Sequence, residues 1–144
     1  MVYPQTTQKD EPITITSHQV EIDNKKKVAL YSGNVLVSKG ELSMTAQKVE
    51  IYFGDKEGEL TLIKATREVH INWKEYEAHA DVCIYNNQTQ EITLSGNPEI
   101  KQGGNWVKGE SITYLLSEER VIVKGSVETI IDKKSTHFSH EQDR

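Results

Sequence analysis

Along most of residues 13–131, apolar and polar side chains alternate with a period of two, the spacing of strands that bury one face. The apolar parity runs through Ile13 and Ile15, slips by one near Ser17, and resumes at Val20 and Ile22. After a polar turn, Asp23-Asn24-Lys25-Lys26-Lys27, it continues through Ala29, Tyr31, Gly33, Val35 and Val37. Because parity survives across Gly33, that glycine is expected to bend or bulge a strand rather than reverse it. A reversal is expected at Lys39-Gly40, after which Leu42, Met44 and Ala46 climb again. Residues 54–59 read as the longest connecting loop, and no segment carries a helical period.

The same pattern recurs. Ser32-Gly33-Asn34-Val35-Leu36-Val37-Ser38-Lys39-Gly40 returns 63 residues later as Ser95-Gly96-Asn97-Pro98-Glu99-Ile100-Lys101-Gln102-Gly103. A small residue followed by two spaced apolar ones begins at Ser17, Ala46, Ala80 and Gly109, with spacings of 29, 34 and 29. Four degenerate repeats thus cover roughly residues 13–131, each made of two antiparallel strands creased near the middle. Eight creased strands count as about sixteen half-strands. A meander whose creases align folds into two facing leaves with an apolar channel between them, and such a sheet need not close.

The quoted segments, in this order, resemble the LptA/OstA family of lipopolysaccharide transport proteins. Pro12-Ile13-Thr14-Ile15-Thr16-Ser17 is similar to the family's opening strand, and Tyr31-Ser32-Gly33-Asn34-Val35-Leu36-Val37 to its Gly-Asn-Val strand. Met44-Thr45-Ala46-Gln47-Lys48-Val49 resembles its Ala-Asp-Lys-Val segment, with Gln47 where Asp is usual. Ala78-His79-Ala80 and Val107-Lys108-Gly109-Glu110-Ser111-Ile112-Thr113-Tyr114 match further along. The resemblance implies an all-β fold: a folded-over, V-shaped antiparallel β-jellyroll open at both ends. It also implies a periplasmic carrier that shields the acyl chains of lipid A and stacks end to end into a bridge. The first edge would then meet LptC, and the last LptD or another copy of LptA. Whether the chain corresponds to LptA itself or to a periplasmic domain of LptC or LptD stays open.

On this reading the lipid-binding groove is the inward stripe: Ile13, Ile15, Val20, Ile22, Val35, Val37, Met44, Val49, Ile51, Val69, Ile71, Tyr85, Ile92, Leu94, Ile100, Ile112 and Tyr114. The competing reading of the same stripe is a dry core, as in a structural β-repeat polymer of the bactofilin kind. Arg67 departs from the pattern, since by register it occupies the Gly33 position of its repeat. Its guanidinium either points inward toward a lipid phosphate or sits at a rim.

Composition narrows the function. The formal charge is −5, from 17 basic and 22 acidic residues, and no face collects positive charge, which argues against nucleic acid. An acidic protein that holds an anionic lipid does so mainly by its tails, at about 0.8 kcal/mol per buried CH₂. The single cysteine, Cys83, excludes an internal disulfide and any cysteine-based zinc site. It shares register with Val20, Val49 and Ile112, so an inward, slow-reacting thiol is expected. His18, His70 and His79 fall on outward positions and His137 and His140 in the tail, without a nucleophile motif, so no catalysis, cofactor or metal site is expected. Trp106 falls on outward parity, and Trp73 lies near a turn. Residues 1–11 and 132–144 are polar and read as disordered flanks of one domain spanning 12–131. Apolar runs are too short to cross a membrane as helices, and the start lacks the features of a signal peptide, so export would need a signal outside this sequence.

Overall fold

The computed structural model describes residues 11–132. The expected disorder at 1–10 and 133–144, with His137 and His140, lies outside the described residues. Twelve strands follow one another, and there is no helix among the described residues. They are β1 (Thr14–Thr16), β2 (Gln19–Asp23), β3 (Val28–Lys39), β4 (Leu42–Phe53), β5 (Leu60–Trp73) and β6 (Tyr76–Asn86). The remainder are β7 (Glu91–Ser95), β8 (Glu99–Gln102), β9 (Asn105–Lys108), β10 (Ser111–Leu115), β11 (Arg120–Lys124) and β12 (Glu128–Ile130).

All pairings are antiparallel and belong to one sheet that does not close. The sheet is folded along a line of creases into two leaves. In the first leaf the order is β1, residues 35–39 of β3, 42–46 of β4, 69–73 of β5, 76–80 of β6, then β8, β9 and β12. The second leaf runs β2, residues 28–32, 48–53, 60–66 and 82–86 of the same four long strands, then β7, β10 and β11. Each leaf has eight positions, so the expected sixteen half-strands are present: β3 to β6 pass through the fold unbroken, while the other four creased strands are split.

The creases have a local cause. In alternate creased strands, four of the eight, two successive residues take positive φ: Gly33-Asn34, Arg67-Glu68, Gly96-Asn97 and Gly125-Ser126. The register of β3 with β4 shifts there, as a bulge requires. The backbone of the neighbouring strand is pinned into the bend, with His18 N–H donating to Gly33 O at 3.0 Å and Asp81 N–H to Gly96 O at 3.1 Å. Glycine is needed at Gly96 because a Cβ there would stand 2.6 Å from Asp81 Cβ. Arg67 holds the equivalent backbone conformation, φ +73°, with a side chain attached. It is exposed, so the rim reading holds and the inward one does not.

Turns repeat as well. Asp23 Oδ1 accepts from the N–H groups of Lys25 and Lys26, both at 3.0 Å. Asn86, 63 residues on, accepts from Gln88 and Thr89 at 2.9 and 3.1 Å. These side-chain caps close the four-residue turns of the second leaf. The first leaf instead uses two-residue turns entered at positive φ by Gly40, Lys74 and Gly103.

Candidate functional site

Between the leaves lies one apolar cluster that draws on every long strand, with Val49, Ala65 and Val69 fully buried at its centre. Of the expected groove residues, Val35, Val37, Met44, Val49, Ile51, Val69, Ile71, Tyr85, Ile92, Leu94, Ile100, Ile112 and Tyr114 are buried here. Ile13 and Ile15 pack against the cluster from the edge and are half-buried.

Val20 and Ile22 differ from the rest in burial. They pair with Tyr31 and Ala29 and so share the inward side, yet they are 46% and 63% exposed. The reason is a skew between the leaves. One cavity, of about 30 Å³, is lined by Ile13, Val37, Lys39, Leu42, Met44 and Ile71 of the first leaf, against Ile63, Cys83, Tyr85 and Ile92 of the second. A second, of about 20 Å³, sets Ile71, Trp73, Tyr76, Ala78 and Ile100 against Ile92, Leu94, Ile112 and Tyr114. Strands of the first leaf therefore face strands about two places further along the second, as accumulated twist brings about. The first strand of the second leaf is left with no opposite number, and so is the last strand of the first leaf, β12, whose flanking residues Val127 and Ile131 are exposed.

Opposite the creases, the hairpin turns of the two leaves approach each other along a seam. Two contacts close it. At the first, Lys39 Nζ donates to Tyr85 Oη at 3.1 Å, and Gln90 Nε2 donates to the same oxygen at 3.0 Å. Tyr85 Oη in turn donates to Asn87 Oδ1 at 3.0 Å. Lys39 is 4% exposed, and burial pushes the Tyr85 phenol above its ordinary pKa against the opposing effect of the Gln90 bond. At the second contact, Tyr114 meets the Trp73 and Tyr76 rings edge-on, at 4.6 and 5.8 Å between centroids. Burial first, and then the charges of Tyr76, Glu75 and Glu119, hold the Tyr114 phenol well above its usual range. The aromatic contact leaves Trp73 Nε1 buried without a hydrogen-bond partner.

Lys39, Trp73 and Tyr76 were not among the expected groove residues, although each continues an inward stripe by one step, from Val37, Ile71 and Ala78. Cys83 is buried as expected, and desolvation raises its thiol pKa to about 12. His70 and His79 are neighbours on the outer face, with ring centroids 5.6 Å apart, and Trp106 lies outward beneath Lys101 at 5.1 Å. Among the described residues, no group of three or more histidine, cysteine or acidic side chains is placed to hold a metal ion.

A folded-over open sheet of antiparallel strands around a continuous apolar interior defines a class, the open β-jellyrolls. The description "LptA/(LptD N-terminal domain) LPS transport protein" matches residues 14–120, and the chain belongs to that family. The lipopolysaccharide export system protein LptA of Escherichia coli (strain K12) is 30% identical over 118 residues, 78% of this chain. The match spans 64% of that protein's length, a little under two thirds. LptH of Pseudomonas aeruginosa is 25% identical over 113 residues. The solved structure of that LptH, described as the LptA-homologous periplasmic component of a lipopolysaccharide transport device, superposes with a TM-score of 0.79. It covers 88% of this chain and 99% of its own at 21% identity, a likeness of fold. Family membership sets aside the dry bactofilin-like polymer.

Proposed function

We propose that this chain is a periplasmic carrier that shields the acyl chains of lipopolysaccharide in its groove on the way from inner to outer membrane. The observation that carries the reading is the inward face itself, apolar across both leaves and left uncovered at its two ends. Head-to-tail stacking covers both bare ends at once. The exposed β2 side of one copy lies opposite the exposed β12 side of the next, while the free edges pair their backbone groups. Because the two edges differ, the contact generates open filaments rather than closed dimers. By the family resemblance, LptC takes the first edge, and LptD or another copy the last.

The cavities are large enough for only about one or two water molecules each, so acyl chains enter by parting the leaves. A photo-crosslinking residue at Ile15, Val37 or Tyr85 is expected to capture lipopolysaccharide, while one at Thr14, Glu50 or Lys108 is not. Equal labelling of the two sets would sink the groove assignment.

A further inference from the structure

We propose that His70 and His79 form a two-histidine clamp for a divalent transition-metal ion, such as Zn²⁺ or Cu²⁺, on the outer face of the first leaf. The inference is independent of the carrier reading, since it concerns the face of the sheet that turns away from the groove.

The strand register makes the pair. Ahead of the crease in β5, Thr66 pairs with Val82, and beyond it Val69 pairs with Ala80, a slip of one residue at Arg67-Glu68. Continued without that slip, His70 would stand opposite Ala78. With it, His70 faces His79 directly across β5 and β6. The ring centroids are 5.6 Å apart and the planes are tilted by 49°. Two imidazoles that each give one nitrogen to a tetrahedral zinc, at Zn–N of about 2.0 Å, stand with centroids about 5 Å apart. A small side-chain rotation brings both onto one ion.

The row continues across the leaf with the support such a ligand needs. On β8, Glu99 Oε1 lies 3.4 Å from His79 Nε2, and Lys108 on β9 holds the other oxygen of Glu99 at 3.5 Å. A carboxylate placed there favours the tautomer with its proton on Nε2 and leaves the Nδ1 lone pair for the ion, as in carboxylate–histidine–metal arrangements. On the other side, His70 lines an open groove of about 490 Å³ with Thr45, Gln47 and Glu68, which has room for a hydrated ion. Among the described residues no third histidine, cysteine or acidic side chain completes the set, so water fills the remaining positions and the ion exchanges readily. Imidazole donors select transition metals over Mg²⁺ and Ca²⁺, which take oxygen ligands. A bound ion ties β5 to β6 beside the Arg67-Glu68 bend.

The test titrates ZnCl₂ into the full chain in a calorimeter. The chain carries His137→Asn and His140→Asn, which remove the other closely spaced histidine pair. One Zn²⁺ per chain is expected to bind at micromolar concentration. His70→Asn and His79→Asn, made separately in that parent, should each weaken binding by about 100-fold, and Glu99→Gln by about ten-fold. Zn²⁺ should raise the melting temperature of the parent but of neither histidine variant. An unchanged melting temperature without metal verifies the fold of each variant. Equal Zn²⁺ affinity in the parent and His70→Asn overturns the clamp. So does the lack of binding to the parent at millimolar metal, or displacement of Zn²⁺ by Mg²⁺, which would mark a mere attraction of cations to the acidic surface.

Discussion

Val69 at the middle of the sheet is fully buried, while Ile22 near its beginning and Ile131 near its end are 63% and 61% exposed. All three are β-branched aliphatic residues, and pairing places Val69 and Ile22 on the same inward side. The difference between them is what lies opposite. Alternation along a strand decides which face a side chain takes, but cover is supplied by the other leaf, and the skew withholds it at the two ends. A long apolar face thus has a self-sufficient middle and two ends whose apolar surface calls for a partner.

Substitutions can break this contrast, and the largest effect is expected at the middle. Val69→Asp places a carboxylate where nothing can pair with it, and a loss of about 3–5 kcal/mol is predicted in chemical denaturation. Ile22→Asp should shift monomer stability by only about 0.5 kcal/mol. A comparable loss at both sites would show that β2 is covered after all.

The next effect reverses the roles. Ile22→Asp is predicted to weaken concentration-dependent self-association by ten-fold or more, the equivalent of about 1.4 kcal/mol per contact. Sedimentation velocity across a dilution series reads it. Unchanged assembly would mean that the bare end of the second leaf is not the docking surface.

A smaller effect separates the regions by pH. Burial raises the Cys83 thiol from 9.0 to about 12. Below pH 9 both folded and unfolded thiols are protonated, and the group is neutral to stability. Above it the unfolded chain ionises first, so stability should fall between pH 9 and 12. Cys83→Ala is predicted to flatten that alkaline limb, whereas a cysteine introduced at Ile22 in the same background should react rapidly with a thiol reagent at about pH 8. The phenols of Tyr85 and Tyr114, also raised, add to the slope that remains.

The smallest effect lies at the creases. Arg67 sits at positive φ without glycine's freedom, so Arg67→Gly is expected to stabilise by about 0.5–1 kcal/mol. Gly96→Ala should destabilise, because its Cβ would collide with Asp81. Melting temperatures moving the same way for both would mean that the crease does not depend on backbone conformation.

Much of this was legible in the chain. Period-two alternation located the strands, and parity running through Gly33 showed a crease instead of a turn. The 63-residue offset set four repeats in register before any contact was known. Lys39, Trp73 and Tyr76 escaped because each stands beside a reversal, where charge or proximity to a turn suggests solvent. Their burial comes from Tyr85 and Tyr114, 46 and about 40 residues away, which no local pattern announces. The exposure of Val20 and Ile22 has the same root, since twist between leaves is a property of the whole sheet.

The recurring creases also make the molecule a ruler. Neighbouring strands are spaced by about 4.8 Å, so each two-strand repeat adds about 10 Å of groove. Because each repeat has its own pair of positive-φ residues in one of its two creased strands, a repeat can be gained or lost without redrawing its neighbours. Duplicating the 63 residues from Gly33 to Ser95, one full period, would lengthen each leaf by four strands, or about 19 Å. Reach across a gap is then a matter of counting repeats and copies, with the chemistry of the interior left as it is.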